Sequence, residues 1–371
     1  MTAFSHWLLW VVGPSLSAWL YLVLGHSDFW RTRPMLDPVP PSRQDLPDVV
    51  AVVPARNEAA YVGRSLRSLL AQDYGGRLSV ILVDDHSEDA TRAIAQAVPV
   101  PPGRSLEVIG AGPLPAGWSG KLWALSEGLR HAAARMPGAR YVLLTDADIA
   151  HDRGNLRRLV AKAEAERLDL VSLMVRLHCE HLWERLLIPP FVFFFRKLYP
   201  FAAVNRQRDP VAAAAGGCTL VRRTALARAG GIEAIRDRLI DDVALARRIK
   251  HHPLPSSGQI WLGLTESTHS LRRQTRLSEL GHDRTLRRRA AGTLAAAARR
   301  HGARHARTVS GATARGDWLA AAQGGRRRGA RPGRLAVHDA RVLADRATLS
   351  PASALGLDVA ARRGSLHGDD D

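Results

Sequence analysis
Hydrophobic positions follow two patterns along this chain. Residues 7–24 (WLLWVVGPSLSAWLYLVL) form one uncharged run, close to the roughly 17-residue lower limit for a helix that crosses a bilayer. Trp7, Trp10, Trp19, Tyr21 and Trp30 supply rings for an interfacial belt, and Pro14 predicts a kink that a membrane helix tolerates. No Lys or Arg precedes the run and no small-x-small site follows it, against a cleaved signal peptide. The rival reading is a buried hydrophobic helix. Arg31, Arg33 and Arg43 come next, so the positive-inside rule puts the N-terminus outside and the rest in the cytoplasm. Residues 25–47 read as an extended linker, with five prolines between Arg31 and Pro47.

From Asp48 the pattern changes. Residues 49–53 are an apolar, mostly β-branched run closed by Pro54, which predicts a buried strand. Residues 58–71 carry Tyr61, Val62, Leu66, Leu69 and Leu70 on one helical face. Strands are predicted at 78–83, 106–109 and 141–145, and helices at 88–97, with Ser87 as N-cap, and at 121–135. This alternation predicts an α/β fold with a mostly parallel central sheet and flanking helices. Neither G-x-G-x-x-G after the first strand nor G-x-x-x-x-G-K-[ST] occurs, which removes the main support for dinucleotide-binding and P-loop readings.

Composition changes the picture at one place. The net charge is +18, but residues 272–371 hold 21 Lys+Arg against 9 Asp+Glu, leaving 32 against 26 for the first 271 residues. That last stretch lacks Lys, Ile, Phe, Tyr, Asn, Met and Cys and has no hydrophobic period. Two readings stand: an out-of-frame translation of a GC-rich gene, or a disordered Arg-rich arm for phosphate-rich surfaces. Either way an irregular tail is expected. Cys179 and Cys218 make neither a zinc pattern nor a disulfide framework.

Candidate chemistry sits where the strands end. The first runs into Pro54-Ala55-Arg56-Asn57-Glu58, the second into Asp84-Asp85-His86-Ser87, the fourth into Asp146-Ala147-Asp148. Ligands of open α/β sheets bind beyond the carboxyl ends of strands. An Asp-x-Asp there suits a hard cation such as Mg²⁺ or Mn²⁺, which prefers carboxylate and phosphate oxygens. Singly, each cluster reads equally as a turn or helix cap. A further pair, Asp241-Asp242, precedes a predicted helix at 243–250, where N-capping is the plain alternative. Residues 186–201 (LLIPPFVFFFRKLYPF) are too short and too broken by proline to span, and predict a membrane-interface segment or a helix buried under the sheet. His178 and His181 find no third partner that would make a metal site.

The P-A-R-N-E opening, the V-D-D-x-S turn, the G-K-x-x-A-L-x-x-G helix start (residues 120–128), the D-x-D and the final acidic pair occur in order between residues 48 and 271. In this the chain resembles the family 2 glycosyltransferases with the GT-A nucleotide-sugar-binding fold. Gly117-Trp118-Ser119-Gly120-Lys121-Leu122-Trp123-Ala124, the Phe-rich segment and the Ala-rich run before Gly216-Gly217-Cys218 are similar to hopanoid-biosynthesis-associated members of the family. The resemblance implies that Pro54, Arg56, Glu58, Asp84, Asp85, Lys121 and Asp146 hold the nucleotide sugar. It implies Asp148 with Asp146 as metal ligands, and Asp242, beside Asp241, as general base. The implied activity is metal-dependent, inverting transfer from a UDP-sugar to a membrane lipid such as a hopanoid. The setting would be the bacterial inner membrane, with the catalytic domain facing the cytoplasm and no nucleic-acid partner. The alternatives are transfer to polyprenyl phosphate, or a non-catalytic basic protein that binds membranes or nucleic acid through the tail.

Overall fold
The computed structural model describes residues 2–38, 46–238, 240–252 and 258–272. In chain order the elements are α1 (Thr2–Leu20) with a π-helical turn (Tyr21–Gly25), β1 (Val49–Ala55), α2 (Val62–Leu70), β2 (Leu78–Asp84), α3 (Thr91–Gln96), β3 (Arg104–Gly110) and α4 (Gly120–Arg135). There follow β4 (Tyr141–Thr145), β5 (Ile149–Ala150), α5 (Asn155–Ala165), β6 (Leu170–Arg176), α6 (Leu182–Leu198) and α7 (Phe201–Val204). The last are β7 (Cys218–Arg222), α8 (Arg223–Arg228), α9 (Asp241–Lys250) and β8 (Ile260–Ser270). The tail from residue 273 and the middle of the linker lie outside the described residues.

The strands form one sheet in the order β3-β2-β1-β4-β7-β6-β8-β5. The β3-β2-β1-β4 half is parallel throughout, as β-helix-β alternation requires. The other half is mixed: β7 runs antiparallel to both β4 and β6, and β5 antiparallel to β8, while β6 and β8 are parallel. The sheet is therefore mixed, with the parallel pairings expected from the sequence in the majority. The alternation that was legible stops at β4, and pairing between distant segments, such as β6 with β8, has no local sequence signal.

Side-chain alternation gives the sheet two buried faces. Val50, Val52, Ile81, Val83, Val142 and Leu144 pack with Leu122 and Leu125 of α4 and with Val243, Leu245 and Ile249 of α9. Val49, Ala51, Val53, Val80, Leu82 and Leu143 face the other way, onto Leu66 and Leu69 of α2 and Leu156 and Leu159 of α5. These opposite-facing sets follow from the two-residue period of a strand.

Several local expectations shift. Helix α2 starts at Val62, later than residue 58, because Asn57 takes a left-handed φ of 55° and the following backbone bonds to the next loop. Glu58 N donates to Thr91 Oγ1 at 2.7 Å and Ala59 N to Asp89 Oδ2 at 3.1 Å. Ser87 is not the cap of α3: its hydroxyl accepts from Asn57 N at 3.0 Å, and the helix begins at Thr91, whose N–H bonds Asp89. Ser119 does cap α4, accepting from Leu122 N. The linker is not free either. Leu36 N donates to Leu264 O at 3.0 Å and Leu264 N to Pro34 O at 2.9 Å, adding a short bridge beside β8.

The Phe-rich segment is one helix despite Pro189 and Pro190. With α7 it makes a 23-residue stretch, Leu182–Val204, long and apolar enough to cross a membrane by length and composition. The expectation that proline breaks it is corrected: each proline forfeits one backbone hydrogen bond, and the helix bridges the pair. Nor is it a buried helix, since Leu182 is 76% and Phe191 58% exposed. Of the N-terminal helix, the part Val12–Gly25 is also apolar. The turn that follows it touches α6: Phe29 meets Phe193 edge-on at 5.3 Å, and His26 Nε2 lies 2.7 Å from Lys197 O.

Gly128 of α4 lies against β1 and β2 so closely that a methyl there would sit 2.5 Å from Val52 Cγ1 and 2.9 Å from Val83 Cγ2. Gly128→Ala is therefore expected to cost about 1–3 kcal/mol of stability through overpacking. Gly138→Ala, with nothing within 4 Å, should stay within about 0.5 kcal/mol of the parent. Paired thermal melts check this; equal melting temperatures would refute the close approach.

Candidate active site
The parallel strands deliver their polar ends to one rim. Register pairs Ala55 with Asp84 and Val52 with Leu144, so the residues after β1, β2 and β4 emerge side by side. Two adjoining cavities open there and share Pro54, Lys121 and Asp146. The larger, about 340 Å³, is also lined by Arg56, Glu58, Asp85 and Asp148. The smaller, about 30 Å³, is also lined by Asp241 and Asp242. Asp84 alone among the sequence-predicted residues lines neither. It is buried at the end of β2, and its Oδ1 has no hydrogen-bond partner. A buried orphan acceptor is costly unless a ligand donor meets it.

Lys121 holds the centre. Its ammonium lies 2.9 Å from Asp146 Oδ1 and 3.5 Å from Asp241 Oδ2. Burial pulls its pKa down, but Asp146 and Asp241 outweigh that and the net shift is upward, so it stays charged. Its place on the first turn of α4, capped by Ser119, aims it across the rim. Burial raises the Asp146 carboxyl; Lys121 opposes, and Asp148 and Asp241 add to the rise.

Asp148 Oδ2 receives Arg272 Nε at 3.1 Å and Ser270 Oγ at 3.3 Å, and its backbone carbonyl receives Leu271 N at 2.7 Å. The Arg272 guanidinium also bonds Glu58 Oε1. Burial, against the opposing charge of Arg272, lifts Glu58 to about 7. Sequence reasoning drew the domain boundary at 271 and assigned Arg272 to the tail. The structure puts it in the site, because β8 runs alongside β5 and carries the chain back to the D-x-D. No local signal separates this arginine from the basic stretch after it.

Asp85 is held by Arg56 at 3.5 Å and packed under Gly120, where a methyl would fall 2.3 Å from its Oδ2. Asp242 sits on the first turn of α9. Its Oδ1 accepts from Val243 N at 2.7 Å, and the Gly216 N–H also bonds it. Gly216, which sequence reasoning quoted only within a motif, lies beside both groups: a methyl there would meet Asp242 Oδ2 and Lys121 Nζ at an ordinary contact distance of 3.5 Å. Burial and then the neighbouring Asp241 raise Asp242 to about 6. A carboxyl whose folded pKa exceeds its unfolded one binds protons better when folded. Its contribution to stability therefore falls as pH rises from about 4 to about 6. His178 is taken up by Glu184 at 3.0 Å and Glu180 at 3.4 Å, and Cys179 and Cys218 are both free thiols.

No group of three or more His, Cys, Asp or Glu placed to hold a metal occurs among the described residues. Asp146 and Asp148 nevertheless line one cavity, and one or two carboxylates with substrate phosphates suffice for Mg²⁺. The cations that now occupy these two carboxylates, Lys121 and Arg272, mark where positive charge is wanted. The donor set thus fits a divalent ion that arrives with a diphosphate.

Residues 50–230 match the model of the family Glycosyl transferase family 2. The succinoglycan biosynthesis protein ExoO of Rhizobium meliloti (strain 1021) is 33% identical over 142 residues, 36% of this chain and 37% of that protein. The chain thus spans little more than a third of that relative's length. Similar solved structures include mannosyltransferase PcManGT from Pyrobaculum calidifontis in complex with GDP-Man and Mn²⁺. It has a TM-score of 0.45 and 22% identity over 69% of this chain and 67% of that one. Glucosyl-3-phosphoglycerate synthase from Mycobacterium tuberculosis, in complex with Mn²⁺ and UDP-glucose, has a TM-score of 0.39 and 20% identity over 63% and 74%. The family match covers just under half of the chain.

Asp241→Asn is expected to bring the Asp242 midpoint below about 6, leaving only the rise due to burial. A carboxyl-carbon NMR titration measures it; an unmoved midpoint would show that Asp241 contributes nothing.

Proposed function
We propose that the chain is an inverting glycosyltransferase that moves a sugar from a UDP-sugar to a lipid acceptor at the bacterial inner membrane, from the cytoplasmic side. One observation carries this: Asp146, Asp148, Lys121 and Asp242 face two cavities that join at Lys121. Asp84 Oδ1 is an acceptor suited to the imide N–H of uracil. Asp85, Arg56 and Glu58 would frame the nucleoside, and Lys121 the diphosphate. Asp146 and Asp148 would hold Mg²⁺ or Mn²⁺, and a bound divalent ion stabilises a leaving diphosphate.

Asp242 is the group for proton removal from an acceptor hydroxyl. Its pKa near 6 keeps it ionised, yet basic enough to work, at neutral pH. The hydroxyl oxygen attacks the anomeric carbon, the bond to the diphosphate breaks, and Asp242 takes the proton. One displacement of this kind inverts configuration without a covalent sugar intermediate.

The acceptor rests on resemblance to hopanoid-associated enzymes and on apolar surface. Trp19, Leu24, Trp183, Phe191 and Phe194 are all about half exposed or more, a large cost in water and a gain in lipid. The second acceptor class is polyprenyl phosphate itself.

UDP-sugar turnover by the purified protein should need added Mg²⁺ or Mn²⁺ and should fall by at least about 100-fold in Asp148→Ala and in Asp242→Ala, as losing a charged catalytic group does. Full activity in Asp148→Ala would remove the metal assignment. Rate should rise with pH through about 6 and then level, since the base works ionised. Mass spectrometry of the product decides between a hopanoid and a polyprenyl carrier.

A further inference from the structure
A third cavity, of about 510 Å³, lies on the far side of the β8 end and is not used by the reading above. It is walled by Arg64 from α2, by Arg176, His178 and Glu180 where β6 leaves the sheet, and by His269 and Ser270 of β8. His178 is committed to Glu184 and Glu180, and His269 Nδ1 lies 3.1 Å from the carbonyl of Ser267. Arg64 and Arg176 are different. Both are exposed, and neither has an ion-pair partner among the described residues. Two guanidinium groups thus face one concavity with a single carboxylate, Glu180, that is itself shared with His178.

The position of the cavity gives it a use. Its wall at Glu180 lies two residues before Leu182, the start of the exposed apolar helix. Buried Glu184 fixes that junction by accepting from Glu180 N at 2.9 Å and His181 N at 3.0 Å, so the mouth and the helix are held together. Beyond it Leu182, Trp183, Leu186 and Leu187 all project into solvent. Guanidinium forks match phosphate oxygens in pairs, and an apolar surface leading away from them matches acyl chain. A soluble phosphate would gain nothing from that surface.

We propose that this cavity seats the phosphate of an anionic membrane lipid, with the Leu182–Leu198 helix lying against its acyl chains. The site fixes the depth and rotation of the catalytic rim, to which it is tied through Ser270 and Leu271 on Asp148. It stands on the cavity and the helix alone, without the donor chemistry, so binding and catalysis fail separately.

The test is calorimetric titration of the full chain with dihexanoyl phosphatidate below its micelle concentration, without nucleotide. The parent should give a saturable site. Arg64→Gln/Arg176→Gln should weaken it at least tenfold, and Glu180→Gln should tighten it. A charge-matched control in the basic tail, Arg299→Gln/Arg300→Gln, should stay within twofold. Inorganic phosphate should bind at least tenfold more weakly than the lipid. Equal losses in the cavity and tail variants would mean diffuse charge attraction and would overturn the site. Inorganic phosphate binding as tightly as the lipid would overturn the lipid assignment. Thermal melts of the cavity variants, whose replaced side chains Arg64, Arg176 and Glu180 are exposed, separate loss of binding from loss of fold.

Discussion
The rim is organised by one shortage: more carboxylates converge there than the chain has cations to neutralise. Lys121 serves Asp146 and Asp241 at once, and Arg272 serves Asp148 and Glu58. Each cation divides its charge, so the acidic groups are left partly uncompensated. The upward shifts of Glu58, Asp146 and Asp242 express the same deficit, with burial the largest cause in each. Like charges held close store energy that an added cation or a proton releases. Such a rim is prepared for a ligand that brings positive charge with its phosphates.

The rim is kept together by backbone geometry more than by the ion pairs. Three parallel strands end in register, and close contacts fix the loops behind them. Gly120 leaves space for Asp85, where a methyl would fall 2.3 Å from its Oδ2. At α9 the carboxylate of Asp242 is tied by the Val243 amide and by Gly216, so its orientation does not depend on Lys121. Buried Lys250, at the other end of α9, bonds the carbonyls of Val204 and Val211 at 2.6 Å each. That clip links the helix carrying the acidic pair to the segment after the apolar helix α6. Burial in this setting lowers the Lys250 ammonium to about 8.

Much of the parallel half was legible because its signals are local. Val50 and Val52 alternate with Val49, Ala51 and Val53, and Leu66 and Leu69 repeat at helical spacing, so each segment announces its period and its faces. The carboxylate clusters could be placed on one rim because parallel strands joined by helices all end on the same side. Ser87 was misplaced because a serine before a predicted helix reads as a cap, whereas a competing amide at Asn57, thirty residues away, claimed its hydroxyl. The prolines of α6 misled for a related reason: helix propensity records the cost of a lost hydrogen bond, not the neighbours that offset it.

The chain by itself thus determined the α/β alternation, the acidic loop ends and the apolar segments, since these follow from residue period and residue chemistry within a few turns. Only the tertiary structure decided that β7 enters antiparallel, that the linker docks beside β8, and that Arg272 belongs to the site and not to the tail. It also decided that Arg64 and Arg176 share a cavity. Those outcomes depend on contacts between residues far apart in sequence. Such contacts form only when the whole core is buried at once, and no short window records them.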